Sequence, residues 1–205
     1  FRSKRPPHGL EPDFSLPSPS EGAAPLQEIF SSVQGEGPYV GARQVFIRVA
    51  HCHLHCAYCD TPMRSVTGDC AIETVEGSDE WDWLPNPVTV PTLIQVLRPY
   101  LQRATHHSIS VTGGEPLLYP DWLADLFAHI QRDLGLKTYL ETSGTQPGCL
   151  AKVLPYTDIV AMDIKLPSAT GQEARWQAHS AFYEACRAQP NCNTFIKLIV
   201  HDMTT

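Results

Sequence analysis

Short apolar runs alternate with amphipathic stretches along most of the chain, and this alternation predicts a series of βα units. Runs of four to eight residues rich in β-branched and aromatic side chains are typical of strands. The predicted strands are 44–50, 108–112, 137–142, 158–165 and 194–200. Helices are predicted between them at 90–101, 121–135, 149–154 and 173–188.

Repeated βα units indicate parallel strands joined by right-handed crossovers. A closed eight-fold barrel needs roughly 250 residues, which is more than this sequence offers. The fold class that we predict is therefore α/β, a partial (open) βα barrel. A doubly wound sheet is the alternative, because the periodicity alone does not separate the two.

Two segments interrupt the alternation. Residues 1–25 are rich in Pro and Ser, which predicts a disordered N-terminal tail before a domain at 26–205. Residues 68–87 are acidic and have no clear period, so we interpret them as a loop insertion. The sequence ends just past a strand-like run, and we interpret this end as a C-terminal truncation.

The composition limits the classes of function. The 205 residues are 42% hydrophobic and 18% charged, as in an ordinary soluble domain. A net charge of −7 argues against direct nucleic-acid binding, and no apolar run has the length of a membrane span. Seven cysteines, three of them clustered, favour metal ligation in a reducing, cytoplasmic compartment over a disulfide framework.

The clustered cysteines Cys52, Cys56 and Cys59 follow the strand 44–50 directly, so they lie in the first βα loop. Their C-x3-C-x2-C spacing allows a structural zinc site, a disulfide, unrelated core cysteines, or a [4Fe-4S] cluster held by three thiolates. In the last case one iron has no protein ligand and can bind a small molecule. A zinc site would need a fourth ligand, which could be His51, His53, His55 or Cys70.

Polar motifs end three further predicted strands. They are TGGEP (112–116), ETSG (141–144) and DIK (163–165). Active-site groups of βα barrels lie at this end of the strands. Two glycines permit close backbone approach to a ligand, and Glu115 can accept a hydrogen bond from an ammonium group. Together with the cysteines, these motifs predict a ligand site.

The combination of C-x3-C-x-Tyr-C with GGEP on the next predicted strand resembles the radical S-adenosylmethionine (SAM) superfamily. The resemblance implies a partial βα barrel and a [4Fe-4S] cluster whose open iron chelates SAM. It also implies that one electron from the cluster cleaves the SAM sulfonium, and that the resulting 5′-deoxyadenosyl radical abstracts a hydrogen atom from the substrate.

Further motifs narrow the resemblance. SVQGEG (32–37), Arg48 fourteen residues after Gln34, and CDT (59–61) are similar to the 7-carboxy-7-deazaguanine synthase family. That family converts 6-carboxy-5,6,7,8-tetrahydropterin to 7-carboxy-7-deazaguanine with loss of ammonia, for 7-deazapurines such as queuosine. The resemblance implies a [4Fe-4S] cluster, SAM and Mg2+ as cofactors, flavodoxin or ferredoxin as electron donor, and a homodimer.

The resemblance also assigns residues. Cys52, Cys56 and Cys59 would hold the cluster, and Thr61 would bind Mg2+. The substrate-binding set is Val33, Gln34, Gly35, Glu36, Arg48 and Thr112. The SAM-binding set is Tyr58, Cys59, Asp60, Gly114, Glu115, Asp163, Ile164 and Lys165. The sequence reads Asp-Ile-Lys where the family often has Ser-Pro-Lys, and Lys197 receives no role.

The chemistry of these side chains fits a pterin carboxylate. Gln34 can donate and accept, Glu36 can accept from ring N–H groups, and Arg48 can pair with a carboxylate through two hydrogen bonds. Two other functions stay open at this point: a glycyl-radical enzyme activase, and a zinc-binding structural protein. A degenerate regulatory homologue is a third, which the intact motifs disfavour.

Overall fold

The computed structural model describes residues 22–59, 61 and 68–200. Within these residues the strands are β1 (Ala23–Ala24), β2 (Leu26–Val33), β3 (Arg43–Val49), β4 (Cys70–Val75), β5 (Glu80–Leu84), β6 (Val88–Thr89), β7 (Ser108–Gly113), β8 (Lys137–Thr142), β9 (Ile159–Ile164) and β10 (Asn193–Leu198). The α-helices are α1 (Val90–Arg103), α2 (Pro120–His129), α3 (Pro147–Val153), α4 (Pro167–Thr170) and α5 (Trp176–Arg187). A π-helical turn, Ile130–Leu134, continues α2.

Among the described residues, eight strands form one mixed sheet in the order β10-β9-β8-β7-β3-β2-β4-β5. The strands β3, β7, β8, β9 and β10 are parallel neighbours and correspond to the five predicted strands. Helices α1, α2, α3 and α5 lie at the four predicted helical segments. The prediction of an α/β fold from alternating elements is confirmed.

The two faces of the parallel strands differ because successive side chains point to opposite sides. Val45, Ile47 and Val49 of β3 are buried in one apolar core together with side chains of α1, α2, α3 and α5. The helices therefore cover one face of the sheet, as in an open βα barrel. A doubly wound sheet would have helices on both faces.

The opposite face carries polar side chains in register. Arg48 of β3 pairs with Thr112 of β7, and Asp163 of β9 pairs with Lys197 of β10. Glu141 lies on the same face of β8 and accepts a hydrogen bond from the Thr112 hydroxyl at 3.2 Å. This polar face is where the candidate site lies.

The interpretation of residues 68–87 as a loop insertion is wrong. Strands β4 and β5 form an antiparallel hairpin, and β4 extends the sheet by pairing in parallel with β2. The hairpin lies at the sheet edge, and most side chains of β5 remain exposed. An exposed strand at the edge of a sheet does not need regularly spaced apolar residues. Its composition can therefore resemble that of a loop.

The N-terminal boundary also differs from the prediction. Ala23 and Ala24 fall within the predicted tail, 1–25, yet they are buried and pair with β6. Residues 1–21 lie outside the described residues, so their predicted disorder stays a prediction. Strand β2, which sequence periodicity did not predict, runs antiparallel to β3 and carries the QGEG turn at its end.

In the described part of the chain, no helix combines the length and apolar character needed to cross a membrane.

Candidate active site

A cavity of about 620 Å³ lies on the polar face of the sheet. Strands β2, β3, β7, β8, β9 and β10 and the loop after β3 all contribute to its walls. The predicted site residues in these walls are Val33, Gln34, Gly35, Glu36, Arg48, Cys52, Cys56, Tyr58, Cys59, Thr61, Thr112, Gly114, Asp163 and Lys165. One cavity thus joins most of the residues that were predicted from separate motifs.

Two of the described site residues, Ile164 and Glu115, do not line this cavity. Ile164 points to the other side of β9 and packs against the apolar core. Glu115 lies behind the cavity wall, fully buried. Asp60 lies outside the described residues, so its predicted contact with SAM stays a prediction.

The three cysteine side chains Cys52, Cys56 and Cys59 enter the cavity as free thiols. A turn brings two of them together, because the Cys59 amide donates to the Cys56 carbonyl at 3.0 Å. Burial raises the pKa of the Cys52 thiol to about 12 and also raises that of Cys56. Metal binding must displace these protons, since the thiolate is the ligand.

Two of the three histidines of this loop, His51 and His53, form hydrogen bonds away from the cysteines. His51 Nδ1 is hydrogen-bonded to the Tyr119 hydroxyl at 2.5 Å. The ring nitrogens of His53 contact Thr145 at 2.8 Å and Gln146 at 3.2 Å. Among the described residues, no group of three or more His, Cys, Asp and Glu side chains is gathered as a metal site, and this holds for the three cysteines as well. The soft donors that line the cavity are the three thiols, which fit a three-thiolate cluster better than a four-ligand zinc site.

Gly113 and Gly114 hold the cysteine loop against β7. The Gly114 amide donates to the Val49 carbonyl at 3.0 Å, and the Glu115 amide donates to the His51 carbonyl at 2.6 Å. A Cβ atom on Gly114 would overlap the His51 carbonyl group. The sequence pattern predicts that a ligand comes close to the backbone of these glycines. In the structure the cysteine loop itself makes such a close contact at Gly114.

Glu115 has a structural role that the sequence did not predict. Its Oε1 accepts hydrogen bonds from the Thr142 hydroxyl at 2.7 Å and the Leu117 amide at 3.1 Å. Its Oε2 accepts one from the Ser143 amide at 2.9 Å. The carboxylate links the end of β7 to the end of β8, and its predicted contact with the SAM amino group stays a prediction.

Replacing Glu115 by alanine is expected to lower the free energy of unfolding by several kcal/mol, at about 1–3 kcal/mol for each buried donor left without an acceptor. Chemical denaturation of the metal-free protein measures this loss. Glu115→Gln keeps one acceptor oxygen, so its free energy of unfolding should fall clearly less than that of the alanine variant. Equal stability of the alanine variant and the parent would contradict the structural role.

Lys165 connects β9 to the cysteine loop. Its ammonium group donates to Asp163 at 2.6 Å and to the Tyr58 hydroxyl at 3.0 Å, and it lies 5.3 Å from the Tyr58 ring centroid. Burial by itself would lower the pKa of Lys165, but the Asp163 carboxylate outweighs this effect and raises it. Lys165 therefore stays charged and fixes Tyr58 beside the cysteines.

The side chain of Gln34 is occupied by contacts within the protein. Its Nε2 donates to Gln44 at 3.1 Å and to Glu141 at 2.9 Å, and its Oε1 accepts from the Glu36 amide at 3.1 Å. A contact between Gln34 and a ligand would use the backbone or the second lone pair of Oε1, or would replace one of these bonds. At the neighbouring Gly35, an added Cβ would meet no protein atom within 4 Å, so packing does not require glycine there.

Arg48 both lines the cavity and forms an ion pair. Its Nε donates to Glu28 at 2.8 Å, and its guanidinium carbon lies 5.9 Å from the Phe30 ring centroid. An ion pair with Glu28 and a contact with a ligand carboxylate are therefore compatible for Arg48. Glu28 fixes one edge of the guanidinium group while the side chain faces the cavity.

Glu141 and Lys197 are cavity residues that the sequence did not assign. Glu141 follows the buried Leu140 in β8, so strand alternation places it on the polar face. Lys197 lies on the polar face of β10 and contacts Glu141 at 3.4 Å. The sequence feature that could have identified both residues is a charged residue within an otherwise apolar or alternating strand.

The chain matches the model of the Radical SAM superfamily over residues 46–188, a range that includes the cysteine loop and strands β7 to β9. It therefore belongs to the radical SAM superfamily. It is 41% identical over 192 residues to the 7-carboxy-7-deazaguanine synthase of Geobacter sulfurreducens, which covers 90% of this chain and 73% of the relative. Within the superfamily it is a member of the 7-carboxy-7-deazaguanine synthase family.

Other relatives carry the same name. The protein of Archaeoglobus fulgidus is 35% identical over 184 residues, with 87% of this chain and 72% of the relative covered. That of Methanothermobacter thermautotrophicus is 38% identical over 143 residues, with 70% of this chain and 50% of the relative covered. The crystal structure of QueE from Escherichia coli has a TM-score of 0.49 at 19% identity, over 86% of this chain and 95% of that chain.

Proposed function

We propose that the chain converts 6-carboxy-5,6,7,8-tetrahydropterin to 7-carboxy-7-deazaguanine with loss of ammonia, in the synthesis of 7-deazapurines such as the queuosine base. The names of its relatives support this proposal. The observation that carries it is the single cavity that joins the three cysteines to the QGEG turn (34–37) and Arg48. A glycyl-radical activase has no comparable need for this turn, because its substrate is a protein backbone.

Membership of the superfamily implies a [4Fe-4S] cluster and SAM. Cys52, Cys56 and Cys59 would hold the cluster, and Lys165 and Tyr58 would stabilise the loop beside it. When bound, the two groups supply the one-electron chemistry that removes a hydrogen atom from the substrate. Gly114, Asp163 and Lys165 line the cavity near these cysteines, which supports their assignment to SAM.

The substrate would lie toward β2 and β3. Arg48 would pair with the pterin carboxylate, since a guanidinium group binds carboxylates through parallel hydrogen bonds. Glu36 would accept hydrogen bonds from ring N–H groups, and Val33, Gly35 and Thr112 would form the surrounding wall. Arginine at position 48 would thus select a substrate that carries a carboxylate.

The proposal includes Mg2+ at Thr61. Mg2+ prefers hard oxygen ligands and keeps several of its water ligands. One protein hydroxyl and the oxygens of the substrate would therefore be enough to complete its coordination. Thr61 lines the cavity and lies next to the cysteine loop, where the Cys59 sulfur is 3.9 Å from the Thr61 carbonyl oxygen. The ion would neutralise charge and orient the pterin.

We further propose a cytoplasmic homodimer that receives electrons from flavodoxin or ferredoxin. Three of the seven cysteines are clustered, which is more typical of metal ligation in a reducing compartment than of a disulfide framework. The net charge of −7 supports the absence of direct nucleic-acid binding.

The decisive experiment uses anaerobically reconstituted protein with carboxytetrahydropterin, SAM and a reductant, with and without added Mg2+. Mass spectrometry should detect 7-carboxy-7-deazaguanine, and added Mg2+ should increase its rate of formation. Iron and acid-labile sulfide are measured on the same sample. Absence of product from protein with a full cluster would reject the proposed reaction, and one zinc per chain without sulfide would favour the structural alternative.

A further inference from the structure

Lys197 lies where three carboxylates meet. Its Nζ is 2.8 Å from Glu36 Oε2, 3.4 Å from Glu141 Oε2 and 3.5 Å from Asp163 Oδ1. The Lys197 side chain is only 15% exposed. Burial by itself would lower its pKa, but Glu141 and Asp163 outweigh that effect and raise it. Lys197 is therefore a charged ammonium group inside the cavity wall.

The three carboxylates depend on Lys197 to different degrees. Glu141 also accepts from Gln34 at 2.9 Å and from the Thr112 hydroxyl at 3.2 Å. Asp163 also accepts from Lys165 at 2.6 Å. Both carboxylates therefore keep other donors when Lys197 is removed.

Glu36 differs from the other two. It lies in a loop rather than a strand, and its side chain is 56% exposed. The Lys197 ammonium holds its carboxylate at 2.8 Å, which leaves the exposed part of that carboxylate with room to accept from a ligand. Without Lys197, the negative charges of Glu141 and Asp163 would repel Glu36 toward solvent.

The contact also joins the loop after β2 to the edge strand β10. Glu36 follows β2, while Lys197 belongs to β10 at the far edge of the strand order. The same loop is fixed nearby, because the Tyr39 hydroxyl accepts from Asn193 at 2.8 Å and an added Cβ on Gly37 would overlap the Phe195 ring. The loop backbone is thus anchored on β10, and Lys197 sets the direction of the Glu36 side chain.

We propose that Lys197 is a positioning residue that holds the Glu36 carboxylate as the acceptor for the N–H edge of the pterin ring. This inference rests on the proposed function. Lys197 acts through Glu36 and has no direct part in the radical step.

The expected result is a selective loss of pterin binding. Lys197→Met and Glu36→Gln should each raise the KM for carboxytetrahydropterin by about 10- to 100-fold, the effect of losing a hydrogen bond to a charged group. The KM for SAM and the cluster content should stay within twofold of the parent. Lys197→Arg should keep most of the pterin affinity. Lys152→Met, which removes an exposed lysine paired with Asp121, is the matched control and should change nothing.

A double-mutant cycle separates positioning from an independent contact. If Lys197 acts through Glu36, the variant with both substitutions should have the same pterin KM as either single variant. The inference would be overturned if the two substitutions together raised the pterin KM by the product of their single effects. Equal increases in the KM for pterin and for SAM would also overturn it. Equilibrium binding of fluorescent 6-carboxypterin to the protein without SAM gives a second readout, and we expect the same order of affinities.

Failure of the proposed function would be visible in the parent protein. A parent that makes no 7-carboxy-7-deazaguanine would reject the function and this inference together. A parent that makes the product while Lys197→Met keeps its pterin KM would reject the inference alone.

Discussion

Gly114→Ala is expected to be among the most damaging single substitutions in this protein. The added Cβ would overlap the His51 carbonyl group and come within 3.0 Å of the Cys52 amide nitrogen. Those atoms are backbone, and the bond from the Glu115 amide to the His51 carbonyl holds them in place. The substitution should therefore cost at least about 3 kcal/mol of unfolding free energy, the upper part of the usual range for overpacking.

The same substitution should also displace the cysteine loop. Chemical denaturation of the metal-free protein measures the stability loss, and iron and sulfide analysis after reconstitution measures the effect on the cluster. Gly148→Ala is the matched control, because an added Cβ there meets no atom within 4 Å and the residue lies in α3. It should be neutral or stabilise the helix by about 0.5–1 kcal/mol. If both alanine variants behave alike, the backbone contact does not require glycine at position 114.

Substitution of Cys52, Cys56 or Cys59, the proposed cluster ligands, is expected to abolish product formation. For Cys56→Ala the activity should fall by more than about 100-fold, because loss of a residue that only orients a metal ligand can cost that much and loss of the ligand itself should cost more. Two thiols would remain in the cavity, and two of the three nearby histidines, His51 and His53, form hydrogen bonds with other residues. Iron, sulfide and SAM cleavage should all decrease with the activity.

The control for this prediction is Cys149→Ala. Cys149 lies in α3, outside the cavity walls, and packs partly against the core. This variant should keep its cluster and its activity. If Cys56→Ala retained full sulfide content and SAM cleavage, the three-thiolate interpretation would be wrong.

The parallel part of the fold could be predicted from sequence because its strands face the core. In β3 and β7 the residues that face the core recur with the strand period, and in β9 a continuous apolar run marks a strand buried on both faces. The hairpin of β4 and β5 could not be predicted in the same way. It lies at the edge of the sheet, and β5 buries too little surface to impose a period.

The cysteine site could also be predicted from the sequence, because its pattern is local. Its three ligands fall within eight consecutive residues, so their spacing constrains their geometry before any tertiary contact forms. The polar motifs at 112–116 and 163–165 could be placed beside it because parallel strands bring their ends to one edge. Sequence thus determined the fold class, the radical SAM motif and most of the residues around the cavity.

Only the tertiary structure decided what several of these residues contact. The Glu115 carboxylate is buried and accepts hydrogen bonds from Thr142 and Ser143. A glutamate that binds a ligand would look the same in the sequence. Lys197 meets Glu36 across 161 positions of sequence. Periodicity records which face of an element is buried, whereas the partner of a charged side chain depends on how distant strands are arranged. The cysteine spacing is local and could be recognised directly, but the Lys197–Glu36 pair exists only because the sheet curves and brings its edge strand back to the loop after β2.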